Sequence, residues 1–188
     1  MIEILIQSLG TVDDDILRFL KGKLSFRFKS ECYISPIKLE VPKNAFNEHR
    51  NQYHSTTIIN YLLKISSLSK YTRILGVTNV DLYVPYLNFV FGEALLGGKI
   101  AVISLHRLRP EFYGEPPNRN LFLERILKEA VHELGHTFGL THCNKPHCVM
   151  YFSNSIWDTD RKKSTFCGDC ELRLNAYLAA LRKESSGV

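Results

Sequence analysis

The chain has 188 residues, 45% of them hydrophobic and 23% charged, with a formal net charge of +5. That length suits one domain burying roughly 70% of its unfolded surface, and the composition excludes a disordered or fibrous chain. The mild basic excess reads as solvated surface charge, so no nucleic-acid partner is expected, and no stretch holds the ~20 uninterrupted apolar residues that cross a bilayer, so no membrane is expected either.

Residues 2 to 9 have the isoleucine and leucine density of a buried strand. Glu3 and the lack of a basic leader make this a first strand rather than an export signal, so a cytoplasmic chain is expected. Gly10 and Thr11 break the run, and Asp13, Asp14 and Asp15 open a helix through capping and the positive end of its dipole. A metal site at these aspartates lacks further clustered acids. A second strand is predicted over 32 to 39, interrupted near Pro36, with the lone Cys32 as a small core residue. His49 and His54 fall in a polar loop over 42 to 54. Residues 55 to 68 predict an amphipathic helix on Ile58, Ile59, Leu62, Leu63 and Ile65, capped by Ser55 or Thr56. Strand-like runs follow over 74 to 84, 87 to 96 and 99 to 105, and Gly97-Gly98 makes the last two an antiparallel hairpin with one strand at an exposed edge. Pro110, Gly114, Pro116 and Pro117 mark a loop, after which Asn118 or Asn120 caps a helix over 121 to 138. Its apolar positions Leu123, Ile126, Leu127, Ala130, Val131, Leu134 and Phe138 recur at three- and four-residue steps, giving one buried stripe.

That helix carries H-E-L-G-H-T-F-G-L-T-H, from His132 to His142. Four residues apart, His132 and His136 share a helix face and can share a metal. Glu133 can reach water on that metal without being a ligand. Gly139 lets the helix stop in the left-handed region, and the chain can then return His142 as a third nitrogen ligand. Three neutral imidazoles leave a fourth tetrahedral position open, as in a catalytic zinc site. In a chain with 7 His, 12 Glu and 11 Gly, the five fixed positions match by chance with odds on the order of 10⁻⁷ per start, so coincidence is set aside.

Immediately after His142, Cys143 and Cys148 form C-x4-C, and Cys167 and Cys170 form C-x2-C. Without an export signal these pairs read as a four-thiolate zinc site rather than as disulfides. His147 could replace one thiolate, although four cysteines already fill a tetrahedron. A closed set is structural, with net charge minus two, and Arg161, Lys162 and Lys163 could offset it. A last helix follows Cys170, with apolar positions Leu172, Leu174, Tyr177, Leu178 and Leu181, and a polar tail over 184 to 188 is expected to fray.

Taken together, H-E-L-G-H-T-F-G-L-T-H-C, C-V-M and C-G-D-C resemble the archaemetzincins, a family of the metzincin clan of zinc metallopeptidases. The resemblance implies an α+β fold: a twisted mixed β-sheet packed on helices, an active-site helix, and a small zinc-stabilised C-terminal subdomain. It implies one catalytic domain over 1 to 188, divided into an N-terminal subdomain over 1 to 139 and a C-terminal subdomain over 140 to 188. It makes Met150 the methionine of the clan's turn, an apolar support beneath the metal and not a ligand. Some metzincins place a tyrosine two residues after that methionine, but this chain has Phe152 there, so the role is not carried over and Tyr151 is expected to pack.

The function expected is zinc-dependent hydrolysis of peptide bonds in a peptide or protein substrate, by a monomer holding two Zn2+, one catalytic and one structural. His132, His136 and His142 would hold the first ion, with Glu133 as general base on water bound to it. Cys143, Cys148, Cys167 and Cys170 would hold the second. The clan places its antiparallel edge strand at 87 to 96, where an extended peptide could add. The resemblance also makes aminopeptidase activity an expectation, with Glu93 as the candidate amine-binding acid. The alternative is a zinc-containing module that binds protein or nucleic acid while the histidine site stays silent.

Overall fold

A computed structural model gives the architecture of residues 2 to 185. Five strands make the main sheet: β1 (Glu3–Leu9), β2 (Glu31–Ile34), β5 (Arg73–Thr78), β7 (Gly92–Ala94) and β8 (Ile100–Ser104), ordered β2-β1-β5-β8-β7. All neighbours are parallel except β7, which runs antiparallel to β8 at the edge, in the register Gly92 to Ile103, Glu93 to Val102 and Ala94 to Ala101. A smaller sheet of β3 (Phe46–Asn47), β4 (Gln52–His54) and β6 (Leu82–Tyr83) lies in the order β3-β4-β6.

Strand alternation divides the core in two. Ile4, Ile6, Leu75, Val77, Ala101 and Ile103 join a cluster with α1 (Asp14–Phe28), α3 (Arg119–Thr137) and α5 (Gly168–Ser185). Leu5, Leu9, Ile74, Ile100 and Val102 pack instead with α2 (Ser55–Leu63). With helices on both faces, the central strands bury every position, which is why they read as continuous apolar runs. The twisted mixed sheet, the long active-site helix and the cysteine cluster near α5 agree with the expected α+β class.

Several local expectations are corrected. The run over 74 to 84 divides between β5 and β6 in different sheets, because Thr78 and Ser104 turn the chain through hydrogen bonds to the Val80 backbone. The run over 87 to 96 shortens to Gly92–Ala94. Its earlier part is a loop held by Arg50, whose guanidinium donates to the carbonyls of Leu87 at 2.6 Å and Asn88 at 3.0 Å. Helix α2 ends at Leu63, and neither Ser55 nor Thr56 caps it: both hydroxyls donate to the Glu93 carboxylate. His54 belongs to β4 rather than a loop, with Nδ1 2.9 Å from Thr57 Oγ1. Helix α5 starts at Gly168, before Cys170, and leaves Leu172 exposed while Leu174 and Leu178 are buried.

The three aspartates at the start of α1 are absorbed by structure. Asp13 caps the helix by accepting from the Asp15 amide, and Asp13, Asp14 and Asp15 pair with Arg119, Lys38 and Arg18 at the surface. Of the tail, residues 186 to 188 lie outside the described residues. Among the described residues no helix is long and apolar enough to cross a membrane.

Candidate active site and metal centres

Helix α3 begins where the Asn118 side chain accepts from the Leu121 amide at 3.0 Å. It does not bury a single stripe. On the other face Arg125, Lys128, Glu129, His132 and Glu133 are also buried. Arg125 and Lys128 meet α4 (Ile156–Arg161), which Asp160 fastens to α3 through a two-pronged pair with Arg125, both contacts at 2.7 Å, whereas Glu129, His132 and Glu133 line a cleft.

His132 and His136 project from this helix with their tautomers set by the backbone. Nδ1 of His132 lies 2.7 Å from the Val149 carbonyl, and Nδ1 of His136 lies 2.7 Å from the Leu140 carbonyl. A carbonyl only accepts, so both Nδ1 atoms carry hydrogen and both Nε2 atoms present bare lone pairs. Those Nε2 atoms face each other at 3.1 Å. Two acceptors this close repel unless a cation lies between them, and the His142 ring completes the group, with ligand atoms of all three within 4.8 Å of one another. The donor set therefore fits a zinc ion with one open position.

The return of His142 depends on Gly139, whose φ of +78° closes α3. The Gly139 amide donates to the His136 carbonyl at 2.9 Å, the Leu140 amide donates to the Gly135 carbonyl at 3.1 Å, and this turn aims the Leu140 carbonyl back at His136. A Cβ on Gly139 would also press the Tyr177 ring at 3.2 Å. Beneath the helix lies Met150, fully buried, so close that a Cβ on Gly135 would stand 2.5 Å from its sulfur. Next to it, Val149 supplies the carbonyl that orients His132.

Glu133 is 5% exposed and has Gly92 of β7 beside it. Burial, then the neighbouring Glu129 charge and hydrogen bond, push its carboxyl well above the ordinary range. A bound dication reverses that push. Burial also raises Glu129, against the opposing charge of Lys162. The imidazoles move the other way: burial and the Lys162 charge hold His132 well below its usual value, burial brings His136 down to about 4, and burial lowers His142. Glu129 was not singled out in the sequence, and Lys162 was named only as a cation near the cysteines. Glu129 carried a signal, since it lies four residues before Glu133 on the same helix face. Lys162 arrives from α4 with no local pattern to mark it.

Beyond the histidines, the Sγ atoms of Cys143, Cys148, Cys167 and Cys170 also gather within 4.8 Å of one another, and none forms a disulfide. Backbone amides approach two of the sulfurs, Lys145 N to Cys143 at 3.5 Å and Cys167 N to Cys148 at 3.3 Å. Burial pushes Cys148 and Cys170 up, whereas Cys167, despite its own burial penalty, is brought to about 7 by hydrogen bonds from Cys170 and neighbouring thiols. Four gathered thiols with amide donors fit a closed zinc site. His147 lies outside the group, with Nδ1 3.4 Å from the Arg161 carbonyl. Of the cations expected to offset the cluster's charge, Lys162 feels Cys148 but is placed beside Glu129, and Lys145 is a further cation that interacts with Cys143 and Cys167.

The histidines and Glu133 open onto a cleft of about 500 Å³ with an apolar rim that includes Leu87, Phe89, Leu96 and Phe152. Phe152 packs against the His142 ring at 4.8 Å, while the Tyr151 carbonyl accepts from Lys162 at 3.3 Å. Glu93, the candidate amine-binding acid, lines the cleft, and its carboxylate accepts from two hydroxyls, those of Ser55 and Thr56 at the start of α2.

This fold and this donor set are those of a zinc metallopeptidase, a hydrolase acting on peptide or protein substrates. Residues 9–176 match the family model of peptidase family M54. The chain belongs to that family. It is 49% identical over 174 residues to an archaemetzincin of Methanocaldococcus jannaschii, covering 93% of each chain, and 46% identical over 179 residues to one of Pyrococcus furiosus, again covering 93% of each. Among solved structures, the archaemetzincin of Methanopyrus kandleri superposes with a TM-score of 0.83 at 35% identity, covering 95% of this chain and 96% of that one. That of Archaeoglobus fulgidus, complexed with malonate, gives 0.79 at 40% identity, covering 92% and 99%.

Proposed function

We propose that this chain hydrolyses peptide bonds at the three-histidine site, and that the tetracysteine site holds a second, structural zinc within a C-terminal subdomain over 140 to 188. The observation that carries this is the pair of bare Nε2 atoms 3.1 Å apart beside a buried glutamate. Zinc bound there supplies Lewis-acid polarisation of the scissile carbonyl and a lowered pKa for water.

The chain's own residues do the rest. Glu133 takes the proton of the attacking water and passes it to the leaving nitrogen. The carbonyls of Val149 and Leu140 keep His132 and His136 in the ligating tautomer. Among the described residues strand β7 is paired on one side only, so its outer edge can take an extended substrate backbone, with the apolar rim receiving side chains. Free clustered thiols fit a reducing compartment, and the cytoplasm is the proposed location.

The rival binding-module reading keeps Arg161 and Lys163 at the surface but not Lys162, which is buried beside Glu129. The aminopeptidase subclass rests on the family resemblance, with Glu93 in the cleft as the candidate amine-binding acid. Free peptides cleaved faster than N-acetylated ones support it; equal rates exclude it. For the reaction itself, Glu133→Ala is expected to keep zinc while losing about 10²- to 10⁴-fold in kcat. Retained turnover overturns the assignment of Glu133.

A further inference from the structure

Lys162 is the feature that the reaction described above leaves unused. Its side chain is fully buried, yet its ammonium is 4.0 Å from Glu129 Oε2, 3.3 Å from the Tyr151 carbonyl and 3.5 Å from His132 Nδ1. Burying an amine is unfavourable unless it is paired, and an apolar pair of similar volume would stabilise the fold as well or better. Placement of this group is nonetheless heavily determined. Asp158 completes a capping box with Ser155 at the start of α4, the Asp160 side chain is gripped by Arg125, and the Asp160 carbonyl accepts from Lys128 at 3.0 Å. The Lys162 amide then closes α4 on the Asp158 carbonyl at 3.2 Å. Lys162 therefore enters the interior from a segment fastened to the same helix that carries Glu129, His132 and Glu133.

Its position excludes direct contact with the reacting atoms. The ammonium lies on the Nδ1 side of His132, and that nitrogen is already committed to Val149; the ligating Nε2 is on the far side of the ring. Glu129 is the link forward. Its Oε2 is buried with no hydrogen-bond partner among the described residues, leaving the Lys162 charge as its counter-ion, and it lies one turn before Glu133 on the same face of α3, both side chains buried at the cleft. On its other side Glu133 meets Gly92, where an added Cβ would stand 2.7 Å from Cγ and 3.0 Å from Oε1. A glutamate walled between a backbone strand and a fixed carboxyl group has one arrangement open to it.

We propose that Lys162 is a positioning residue for peptide hydrolysis, acting through Glu129 to hold the Glu133 side chain at the cleft. This rests on the peptidase function proposed above. Removing the ammonium leaves Glu129 as an uncompensated buried carboxylate, which turns away and takes one wall of the Glu133 site with it.

The test uses the full-length, zinc-loaded chain as wild type, Lys162→Met, Lys162→Arg and Glu129→Gln. For Lys162→Met we expect kcat to fall about 10- to 100-fold with KM within about twofold and zinc content unchanged. Lys162→Arg should recover most of the loss, and crystal structures of the zinc-loaded wild type and Lys162→Met should show Glu133 displaced from Gly92 only in the variant. Wild-type kcat in Lys162→Met, a loss of activity matched by loss of zinc, a change confined to KM, or Glu133 unmoved overturns the proposal. Should Lys162→Met fail to fold, Glu129→Gln with unchanged kcat and an unmoved Glu133 does so equally. A wild type that cleaves no peptide refutes the peptidase function separately, while the position of Glu133 in the two crystal structures still decides the role of Lys162.

Discussion

Gly92 and Glu133 are in contact across the junction of strand β7 and helix α3, so close that the smallest side chain at Gly92 would stand 2.7 Å from Glu133 Cγ and 2.8 Å from the Val102 carbonyl. The second of those atoms is backbone within the paired strand β8 and cannot swing aside. Gly92→Ala must therefore displace Glu133 or part the two edge strands. We expect at least about a tenfold loss in kcat with a destabilisation of about 1–3 kcal/mol, read from steady-state kinetics and urea unfolding. An alanine variant with wild-type values in both would show that the contact constrains nothing.

The two metal sites are joined by a few residues of backbone. The Cys143 amide donates to the Met150 carbonyl at 2.9 Å, the Val149 amide donates to the Thr165 carbonyl at 2.9 Å, and the Val149 carbonyl receives His132 Nδ1. Loosening the cysteine cluster should therefore misplace both His142, which precedes Cys143, and the partner of His132. Cys148→Ser is predicted to weaken zinc binding at the histidines about 10- to 100-fold in competition with a chelator. Wild-type affinity at the histidines in that variant would mean that the sites are independent.

Metal-free protein should lose stability in acid over a defined interval. An unfolded histidine takes up a proton near pH 6.5, whereas burial holds folded His136 neutral until about pH 4. Between those values the unfolded state binds more protons, so this contribution is fully present above about pH 6.5 and is lost as pH falls to about 4. His132 and His142 are shifted in the same direction. Urea midpoints of the metal-free chain should fall across that window, and a flat profile would contradict the burial of these rings.

Local spacing made much of the site legible in the sequence. His132 and His136 are one helical turn apart, Gly139 marks the stop, and the cysteines come in two close pairs, so each motif needs only a few residues of known local geometry. What escaped depends on contacts between distant segments. Lys162 is 30 residues from His132 in sequence and is brought to it by a segment that Arg125 and Lys128 fasten to α3 through Asp160. Gly92 carries no sign in sequence that a catalytic side chain will lie against it. The apolar residues over 87 to 91 imitate a strand but form the cleft rim, and the second sheet is built of strands too short to show a period. The hydroxyls of Ser55 and Thr56 that hold the Glu93 carboxylate were equally invisible, because they come from a helix 37 to 38 residues away in sequence.

The central claim is that His132, His136 and His142 hold a zinc ion that the cleavage reaction requires. Metal analysis of the wild type beside His136→Ala, with a peptide-cleavage assay on the same samples, tests it most directly. Two zinc ions per chain falling to one, together with loss of cleavage, is the result predicted; zinc content unchanged by His136→Ala would contradict it.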